Sequence, residues 1–232
     1  MAVSPVRPVR SSVRARFRGL YGIAGPVGGA SPEARRAETV ALAEALIAGG
    51  VPVIQLRDKV SDGRALLETA RLLRSRTREA GVLLILNDRL DVALLAEADG
   101  VHVGQDDLSV EDVRAVTGKL GRADLIVGLS THDLDQVRAA AAVDVDYLGF
   151  GPVFATTSKS DALSPRGLPL LGEAVGLVPQ LPVVAIGGVS LASASAVATT
   201  GAAMAAVIGD VVQAADRVQR VRELHAVLSR GR

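Results

Sequence analysis

The chain has 232 residues, a hydrophobic share of 49% and a formal net charge of +1. Such a composition excludes an intrinsically disordered chain and gives no general nucleic-acid-binding surface. With no Cys, disulfides, zinc thiolate sites and thiol nucleophiles are excluded, and the few aromatic residues (two Tyr, three Phe, no Trp) argue against base-stacking platforms. No apolar run approaches the roughly 18 residues of a membrane span, so we expect a cytoplasmic protein with no membrane partner.

Residues 1–18 differ from the rest of the chain in composition. They carry several Arg, no acidic residue and no apolar core, so they do not form a secretory signal. An Arg- and Ser-bearing start is also found in transit peptides, but no amphipathic stripe is present. The composition favours a frayed, disordered basic arm over 1–18, followed by one catalytic domain over 19–232.

From Leu20 onward, short β-branched runs alternate with Ala- and Leu-rich stretches of helical periodicity. The predicted strands are 20–24, 52–56, 83–86, 99–103, 125–129, 145–149, 183–186 and 203–208. The predicted helices are 31–48, 62–79, 88–97, 109–118, 132–141, 167–177, 190–199 and 210–228. Eight evenly spaced strand–helix pairs predict an α/β fold, a single-domain (β/α)8 TIM barrel. A doubly wound sheet is the alternative, but it gives no reason for eight such units.

Polar clusters follow the predicted strands, at the barrel end where ligands bind. After the second strand come Gln55, Arg57 and Lys59. Arg57 can clamp phosphate oxygens in a bidentate manner, Lys59 adds a compact cation, and Gln55 can hydrogen-bond a heterocycle. The alternative is a solvated pair of loop charges. Because similar clusters follow six other strands, we favour an active site at this rim.

Two carboxylates, Asp88 and Asp107, follow the third and fourth strands. Mg²⁺ prefers hard oxygen ligands and is often held by one or two carboxylates together with substrate phosphate. The alternative for Asp88 is an N-cap of the next helix. Asp91 and Asp106 are rival ligands of lower rank, and we expect Asp106 to face solvent.

Glycines predict a phosphate site after the last two strands. Gly187-Gly188 and Ile208-Gly209 match the place where barrels bind phosphate with backbone N–H groups. The longest connection, 151–167, is rich in hydroxyls, Gly and Pro, and we predict that it is a mobile lid.

A phosphate site beside a metal-and-cation cluster suggests group transfer with diphosphate as the leaving group. No nucleophilic Ser/His/Asp set is apparent. We expect His102 and His132 to be structural or orienting residues and His225 to lie at the surface of the last helix.

Six motifs follow one another along the chain: Gln55-Leu56-Arg57-Asp58-Lys59, Asn87-Asp88-Arg89, the run 100–107, the run 128–132, Gly151-Pro152-Val153-Phe154 and the run 185–189. Taken together, over about residues 20–210, they resemble those of the thiamine phosphate synthase family. The resemblance implies a (β/α)8 transferase of thiamine biosynthesis. It would join 4-amino-2-methyl-5-(diphosphooxymethyl)pyrimidine to 4-methyl-5-(2-phosphooxyethyl)thiazole, with Mg²⁺ as cofactor, diphosphate leaving and thiamine phosphate as product.

The resemblance also implies residue roles. The catalytic residues that bind the pyrimidine diphosphate would be Gln55, Arg57, Lys59, Asn87, Ser130 and Lys159. The thiazole phosphate would be bound by Thr156, Thr157, Ser158, Gly188, Ile208 and Gly209. The Mg²⁺ ligands would be Asp88 and Asp107.

Three positions depart from the family pattern. Ser158 stands where the lid usually has Thr, and Gly209 stands where the strand-eight site usually has Ser. The strand-one segment 20–25 lacks the Thr-Asp pair that usually follows that strand. The second and third departures fall on the thiazole phosphate side, whereas the diphosphate and metal residues match.

The implied mechanism is dissociative. The pyrimidine C–O bond breaks first, and the thiazole nitrogen then attacks the methylene carbocation. Two alternatives remain: a thiazole tautomerase-like barrel, which would not need the diphosphate cluster, and a non-catalytic phosphate-binding protein. We expect small-molecule substrates and no nucleic acid, and a homo-oligomer is compatible with the sequence.

Overall fold

The computed structural model describes residues 11–28, 31–156 and 164–230. Eight parallel strands pair in chain order, and the pairing of the first with the last closes a barrel. The strands are β1 Gly19–Ala24, β2 Val53–Leu56, β3 Leu83–Asn87, β4 Gly100–Val103, β5 Ile126–Thr131, β6 Tyr147–Phe150, β7 Val183–Ile186 and β8 Met204–Val207. They lie close to the predicted bounds, and the predicted (β/α)8 fold is confirmed.

Helices fill the connections between the strands. They are α1 Ser11–Arg16, α2 Pro32–Ala48, α3 Gly63–Glu79, α4 Leu90–Leu95, α5 Val110–Lys119, α6 Leu134–Ala140, α7 Gly167–Leu177, α8 Leu191–Ala198, α9 Gly209–Val212 and α10 Arg217–Ser229. The prediction of one helix over 210–228 is wrong, because Asp216 starts a new helix. Its side chain accepts a hydrogen bond from the Gln219 N–H at 2.9 Å, as an N-cap does.

Two apolar layers hold the barrel together. Side chains alternate between the faces of a strand, so every second residue points into the barrel and the others pack against the surrounding helices. The inner layer contains Val53, Ile85, Ile126 and Val184, all buried. The outer, larger cluster joins the strands to the helices.

Helix α1 extends the folded chain into the segment for which we predicted a frayed arm. Val13 and Phe17 are buried, at 0% and 1% exposure. The Phe17 ring packs within the inner layer, with its centroid 4.7 Å from that of Tyr147, and Arg16 donates a hydrogen bond to the Gly81 carbonyl. The arm prediction is therefore wrong for residues 11–18, because two apolar side chains anchor them to the barrel. Residues 1–10 lie outside the described part of the chain.

The sequence predicts that no segment spans a membrane. In the described ranges, no helix combines the length and the apolar character needed to cross a bilayer.

Phe17→Ala should destabilise the protein by roughly 3 kcal/mol or more, because it empties a buried ring volume inside the barrel. Urea denaturation measures the change in unfolding free energy. Val27→Ala is the control, because Val27 is 47% exposed and should cost little. Equal stabilities of the two variants would show that α1 is only loosely attached.

Candidate active site

The carboxyl ends of the strands gather the predicted polar residues at one rim. Strand alternation points three of these side chains into the barrel. They are Gln55 on β2, Asn87 on β3 and Ser130 on β5. The Arg57 backbone N–H donates to the Ala24 carbonyl at 2.8 Å, which ties the end of β2 to the end of β1. Gly25 permits this approach, since a Cβ there would overlap the Arg57 carbonyl oxygen.

Three charged side chains meet after β2, β3 and β4. Lys59 Nζ lies 3.1 Å from Asp88 Oδ2, and the Asp107 carboxylate is close enough to Asp88 to interact with it. Burial raises the pKa of Asp88; the Lys59 ammonium lowers it, and the neighbouring Asp107 carboxylate raises it further. Two adjacent carboxylates with one nearby ammonium therefore form a site that favours added positive charge.

The Asp88 and Asp107 pair fits Mg²⁺ by its chemistry. In the described residues, no set of three His, Cys, Asp or Glu side chains forms a complete metal cage. Mg²⁺ does not require one, because it commonly uses one or two carboxylates and completes its shell with phosphate oxygens and water. Burial and Asp107 disfavour the ionised form of Asp88, and a bound cation would favour it. The raised pKa of Asp88 is therefore consistent with a cation site.

The backbone holds these carboxylates in place. Asp88 has φ of +61° and its N–H donates to the His102 carbonyl at 2.8 Å. Asp107 Oδ2 accepts from the Gly104 N–H at 2.8 Å. The N-cap alternative for Asp88 is wrong, because Arg89 occupies that position of α4 and no side chain caps the helix.

The two rival acids are placed differently. Asp91 is held by Arg89, whose Nε and Nη2 lie 2.8 and 2.6 Å from its two carboxylate oxygens. Asp106 is exposed. Asp88 and Asp107 are therefore better placed than either rival to bind one Mg²⁺ ion.

Arg57 is available to an anion. Its neighbour Asp58 accepts from the N–H groups of Val60 and Ser61, both at 2.9 Å, and so orders the loop rather than the guanidinium. Within residues 11–28, 31–156 and 164–230, no acidic side chain forms an ion pair with Arg57.

Polar side chains inside the barrel connect two predicted site residues that lie on different strands. Gln55 contacts Tyr21, Tyr21 contacts Tyr147, Tyr147 contacts His102, and His102 contacts Ser130. Our sequence reasoning missed Tyr21 and Tyr147 as functional candidates. Strand alternation was the available signal, since it places both phenols on the inner face with Gln55 and Ser130.

The other two histidines have structural contacts. The orienting role expected for His132 agrees with its Nδ1 lying 2.6 Å from the Gly151 carbonyl oxygen. The prediction of a surface His225 is wrong, because this side chain is half-buried and its Nδ1 accepts from the Leu20 N–H at 3.2 Å. Burial lowers the pKa of His225.

The predicted phosphate side is formed largely by backbone. Gly187 and Gly188 have φ of +97° and +64°, and a Cβ at Gly188 would overlap the Ala155 carbonyl oxygen. Ile208 and Gly209 lie where α9 begins, and a Cβ at Gly209 would meet no atom within 4 Å. The start of α8 is already capped, because Ser190 and Ser193 form a capping box and Asp210 accepts from the Leu191 N–H at 3.0 Å.

Part of the predicted lid lies outside the described residues. Thr157, Ser158 and Lys159 fall in the gap between 156 and 164, so their roles stay predictions. Thr156 is the last described residue before the gap and is half-buried.

A second groove lies on the outer surface between α3 and α4. It is lined by charged residues that include Arg74, Arg78 and Glu97. Arg74 pairs with Asp99 at 2.8 Å and Arg78 with Glu97 at 2.9 Å, so these arginines already have anionic partners. We therefore place the active site at the rim of the barrel.

Comparison with known proteins agrees with this placement. The family model described as thiamine monophosphate synthase matches residues 27–211, which contain every described candidate site residue. The chain belongs to this family.

Curated relatives cover nearly all of the chain. The thiamine-phosphate synthase of Anaeromyxobacter dehalogenans is 46% identical over 225 residues, which is 97% of this chain and 94% of that protein. The enzyme of the same name from Chloroflexus aurantiacus is 46% identical over 82% of this chain and 85% of its own length. A solved thiamine phosphate pyrophosphorylase from Pyrococcus furiosus has a TM-score of 0.79 and 32% identity, with 93% of this chain and 98% of that chain covered.

These relatives confirm the family that the motifs resemble, and with it the prediction of an enzyme of thiamine biosynthesis. A solved structure described as a 4-hydroxy-2-oxoglutarate aldolase/2-deydro-3-deoxyphosphogluconate aldolase has a TM-score of 0.66 at 20% identity. At that identity the likeness concerns the fold alone.

Gly188→Ala should destabilise the protein by about 1 kcal/mol or more, because it combines a positive φ with an overlap against the backbone. Gly209→Ala should leave the stability the same or slightly higher, since the added methyl enters open space at the start of a helix. Thermal unfolding of both variants measures the difference. Equal melting temperatures would contradict the tight packing of Gly188 against Ala155.

Proposed function

We propose that the protein condenses 4-amino-2-methyl-5-(diphosphooxymethyl)pyrimidine with 4-methyl-5-(2-phosphooxyethyl)thiazole to give thiamine phosphate and diphosphate. The observation that carries this proposal is the meeting of Lys59, Asp88 and Asp107 at the rim beside Arg57. A diphosphate needs such a mixture of cations and metal-binding carboxylates. A thiazole tautomerase would need only a single phosphate site.

The proposed roles follow from the chemistry of each group. Asp88 and Asp107 would hold Mg²⁺, which supplies positive charge that stabilises the departing diphosphate. Arg57 offers a planar fork to phosphate oxygens, and Lys59 and Lys159 add point charges. Charge that develops on the leaving group as the pyrimidine C–O bond breaks would therefore be stabilised by these positive groups.

The second half of the reaction needs no protein base in this scheme. The electron pair of the C–O bond leaves with the diphosphate, and the pyrimidine amino group donates electron density to the methylene carbocation. The thiazole nitrogen then supplies the electron pair for the new C–N bond. Gln55, Asn87 and Ser130 would hold the pyrimidine in the barrel mouth while this happens.

The thiazole phosphate would lie at the opposite side of the rim. Backbone N–H groups near Gly188 and at Ile208 and Gly209 are suited to a phosphate, and Thr156, Thr157 and Ser158 would add hydroxyls. Binding of the two substrates side by side in the mouth of the barrel would make their reaction effectively unimolecular.

Incubation of the purified protein with both substrates and Mg²⁺ tests the proposal directly. We expect equimolar thiamine phosphate and diphosphate. Phosphate binding without turnover would instead support a non-catalytic role, and conversion of a thiazole isomer without diphosphate release would support a tautomerase.

Asp88→Ala and Asp107→Ala should each lower kcat about a hundredfold, on the order of 3 kcal/mol, because each removes a metal-binding charge. The activity should respond to Mg²⁺ at higher concentrations than in the wild type. Steady-state rates across a Mg²⁺ titration measure both effects. Asp106→Ala is the matched control, since it removes a neighbouring exposed carboxylate and should remain close to wild type. Near-normal activity of both variants at limiting Mg²⁺ would contradict the metal assignment.

Arg57→Lys should raise the KM for the pyrimidine diphosphate and leave the KM for the thiazole phosphate unchanged. A Lys retains the charge but cannot form the paired hydrogen bonds of a guanidinium. Loss of one charge-assisted hydrogen bond corresponds to roughly tenfold or more in KM. Equal increases for the two substrates would mean that Arg57 does not belong to the diphosphate side.

A further inference from the structure

A continuous chain of hydrogen bonds crosses the interior of the barrel. Gln55 Nε2 lies 3.2 Å from Tyr21 Oη, which lies 2.8 Å from Tyr147 Oη. Tyr147 Oη lies 3.0 Å from His102 Nδ1, and His102 Nε2 lies 2.9 Å from Ser130 Oγ. We call Tyr21, Tyr147 and His102 the interior relay, because they link Gln55 on β2 to Ser130 on β5.

The relay is buried and polar in a place that barrels usually fill with branched apolar side chains. Tyr21 and Tyr147 are 2% and 1% exposed, and Gln55 is 4% exposed. Phe would provide the same packing without the burial of two hydroxyls. Each buried hydroxyl requires a partner, so the relay constrains the groups at its two ends.

The hydrogen bonds have a direction. The Gln55 amide nitrogen can only donate, so Tyr21 Oη accepts there. A buried hydroxyl hydrogen needs an acceptor, and among the described residues Tyr147 Oη is the one within reach, so Tyr21 donates a hydrogen bond to it. Burial raises the pKa of both phenols, so each keeps the proton that it must donate. Tyr147 then donates to His102 Nδ1, and the neutral imidazole carries its proton at Nε2 and donates it to Ser130 Oγ.

The two ends of the relay are left with opposite hydrogen-bonding character. Among the described residues, no other group bonds to the Gln55 side-chain oxygen, which remains an acceptor. The Ser130 hydroxyl accepts from His102, so its own hydrogen is free to be donated. One acceptor and one donor on strands β2 and β5 match a heterocycle that presents an N–H donor and a ring-nitrogen acceptor, as a 4-aminopyrimidine does.

We propose that Tyr21, Tyr147 and His102 are positioning residues that determine the preference for a 4-amino over a 4-oxo pyrimidine. This inference rests on the proposed function. A 4-oxo pyrimidine presents a carbonyl where the amino group stood and an N–H where the ring nitrogen stood. Its carbonyl would meet the Gln55 side-chain oxygen, an acceptor against an acceptor. Its N–H could bond only to the remaining lone pair of Ser130 Oγ, so the free Ser130 hydrogen would have no acceptor on the ring nitrogen.

The direction of the relay can be measured without substrate. In protein with ¹⁵N-labelled histidine at neutral pH, His102 should be the neutral Nε2–H tautomer. His225 provides a control of the same type, because its Nδ1 accepts from the Leu20 N–H. His132 provides the opposite control, because its Nδ1 must donate to the Gly151 carbonyl. His225→Gln and His132→Asn assign the signals.

The tautomer result is independent of the reaction. An Nδ1–H tautomer of His102 would show that the relay runs in the opposite direction, with the Gln55 amide rotated, and would overturn the inference even if thiamine phosphate is formed. An Nε2–H tautomer supports the relay even if the turnover assay fails. Failure of the proposed function and failure of this inference are therefore distinguishable.

Tyr147→Phe tests the consequence for specificity. It removes one hydroxyl and keeps the ring, whose centroid is 5.3 Å from that of His102. We expect about a tenfold higher KM for the pyrimidine diphosphate, an unchanged KM for the thiazole phosphate and about a tenfold loss of discrimination against the 4-oxo analogue.

Thr131→Val is the matched control. Thr131 is buried beside Ser130 on the same strand, but its hydroxyl donates to the Gly149 carbonyl, outside the relay. This variant should keep both KM values and the discrimination. Unchanged discrimination in Tyr147→Phe, or the same change in Thr131→Val, would reduce the relay to a packing role and overturn the proposal.

Discussion

Closure of the parallel barrel is the constraint on which the rest of the structure depends. The register Gly19↔Met204 joins β1 to β8, so no strand edge is left and all eight carboxyl ends meet at one rim. Residues far apart in the chain, such as Arg57 after β2 and Gly209 after β8, therefore lie on the same rim. The rim is a consequence of the strand pairing, and the chemistry of the site depends on which side chains end the strands.

Closure also creates an interior that must be filled. Phe17, which follows α1, fills one part of it, and the large rings of Tyr147 and His102 take the neighbouring volume. Gly128 makes this possible, because a Cβ there would overlap both rings. A small residue on β5 thus provides the space for two large polar side chains on neighbouring strands. The polar part of the core could not be accommodated without it.

The parts of the fold that depend on local pattern were predictable from sequence. Each strand was found because a short β-branched run is a property of neighbouring residues, and the rim residues followed from their positions after those runs. The helix at 11–16 was missed, because its only anchors are Val13 and the following Phe17, and the surrounding charge is typical of a disordered arm. The break before Asp216 was missed for a related reason, since the apolar periodicity continues across it.

The interior relay could not be read from sequence in the same way. Its partners are 126 residues apart for the two tyrosines and 45 residues apart for Tyr147 and His102. Alternation predicts that each points inward, but which side chains meet depends on the stagger of the closed barrel. The tautomer of His102 depends in turn on the whole chain of bonds, so no single residue determines it.

The two sides of the rim hold anions by different means. The proposed diphosphate side uses flexible charged side chains, so its strength depends on protonation and on metal. The proposed phosphate side uses backbone at Gly188 and the start of α9, where the donors cannot be removed by a side-chain change. Asp210 lies nearby as an acid, yet Arg220 contacts it at 2.7 Å and offsets its charge. Under the proposed function, this difference allows position 209 to do without a side-chain hydroxyl. The backbone donor remains with any residue except proline, and glycine there leaves the approach to the proposed phosphate site open.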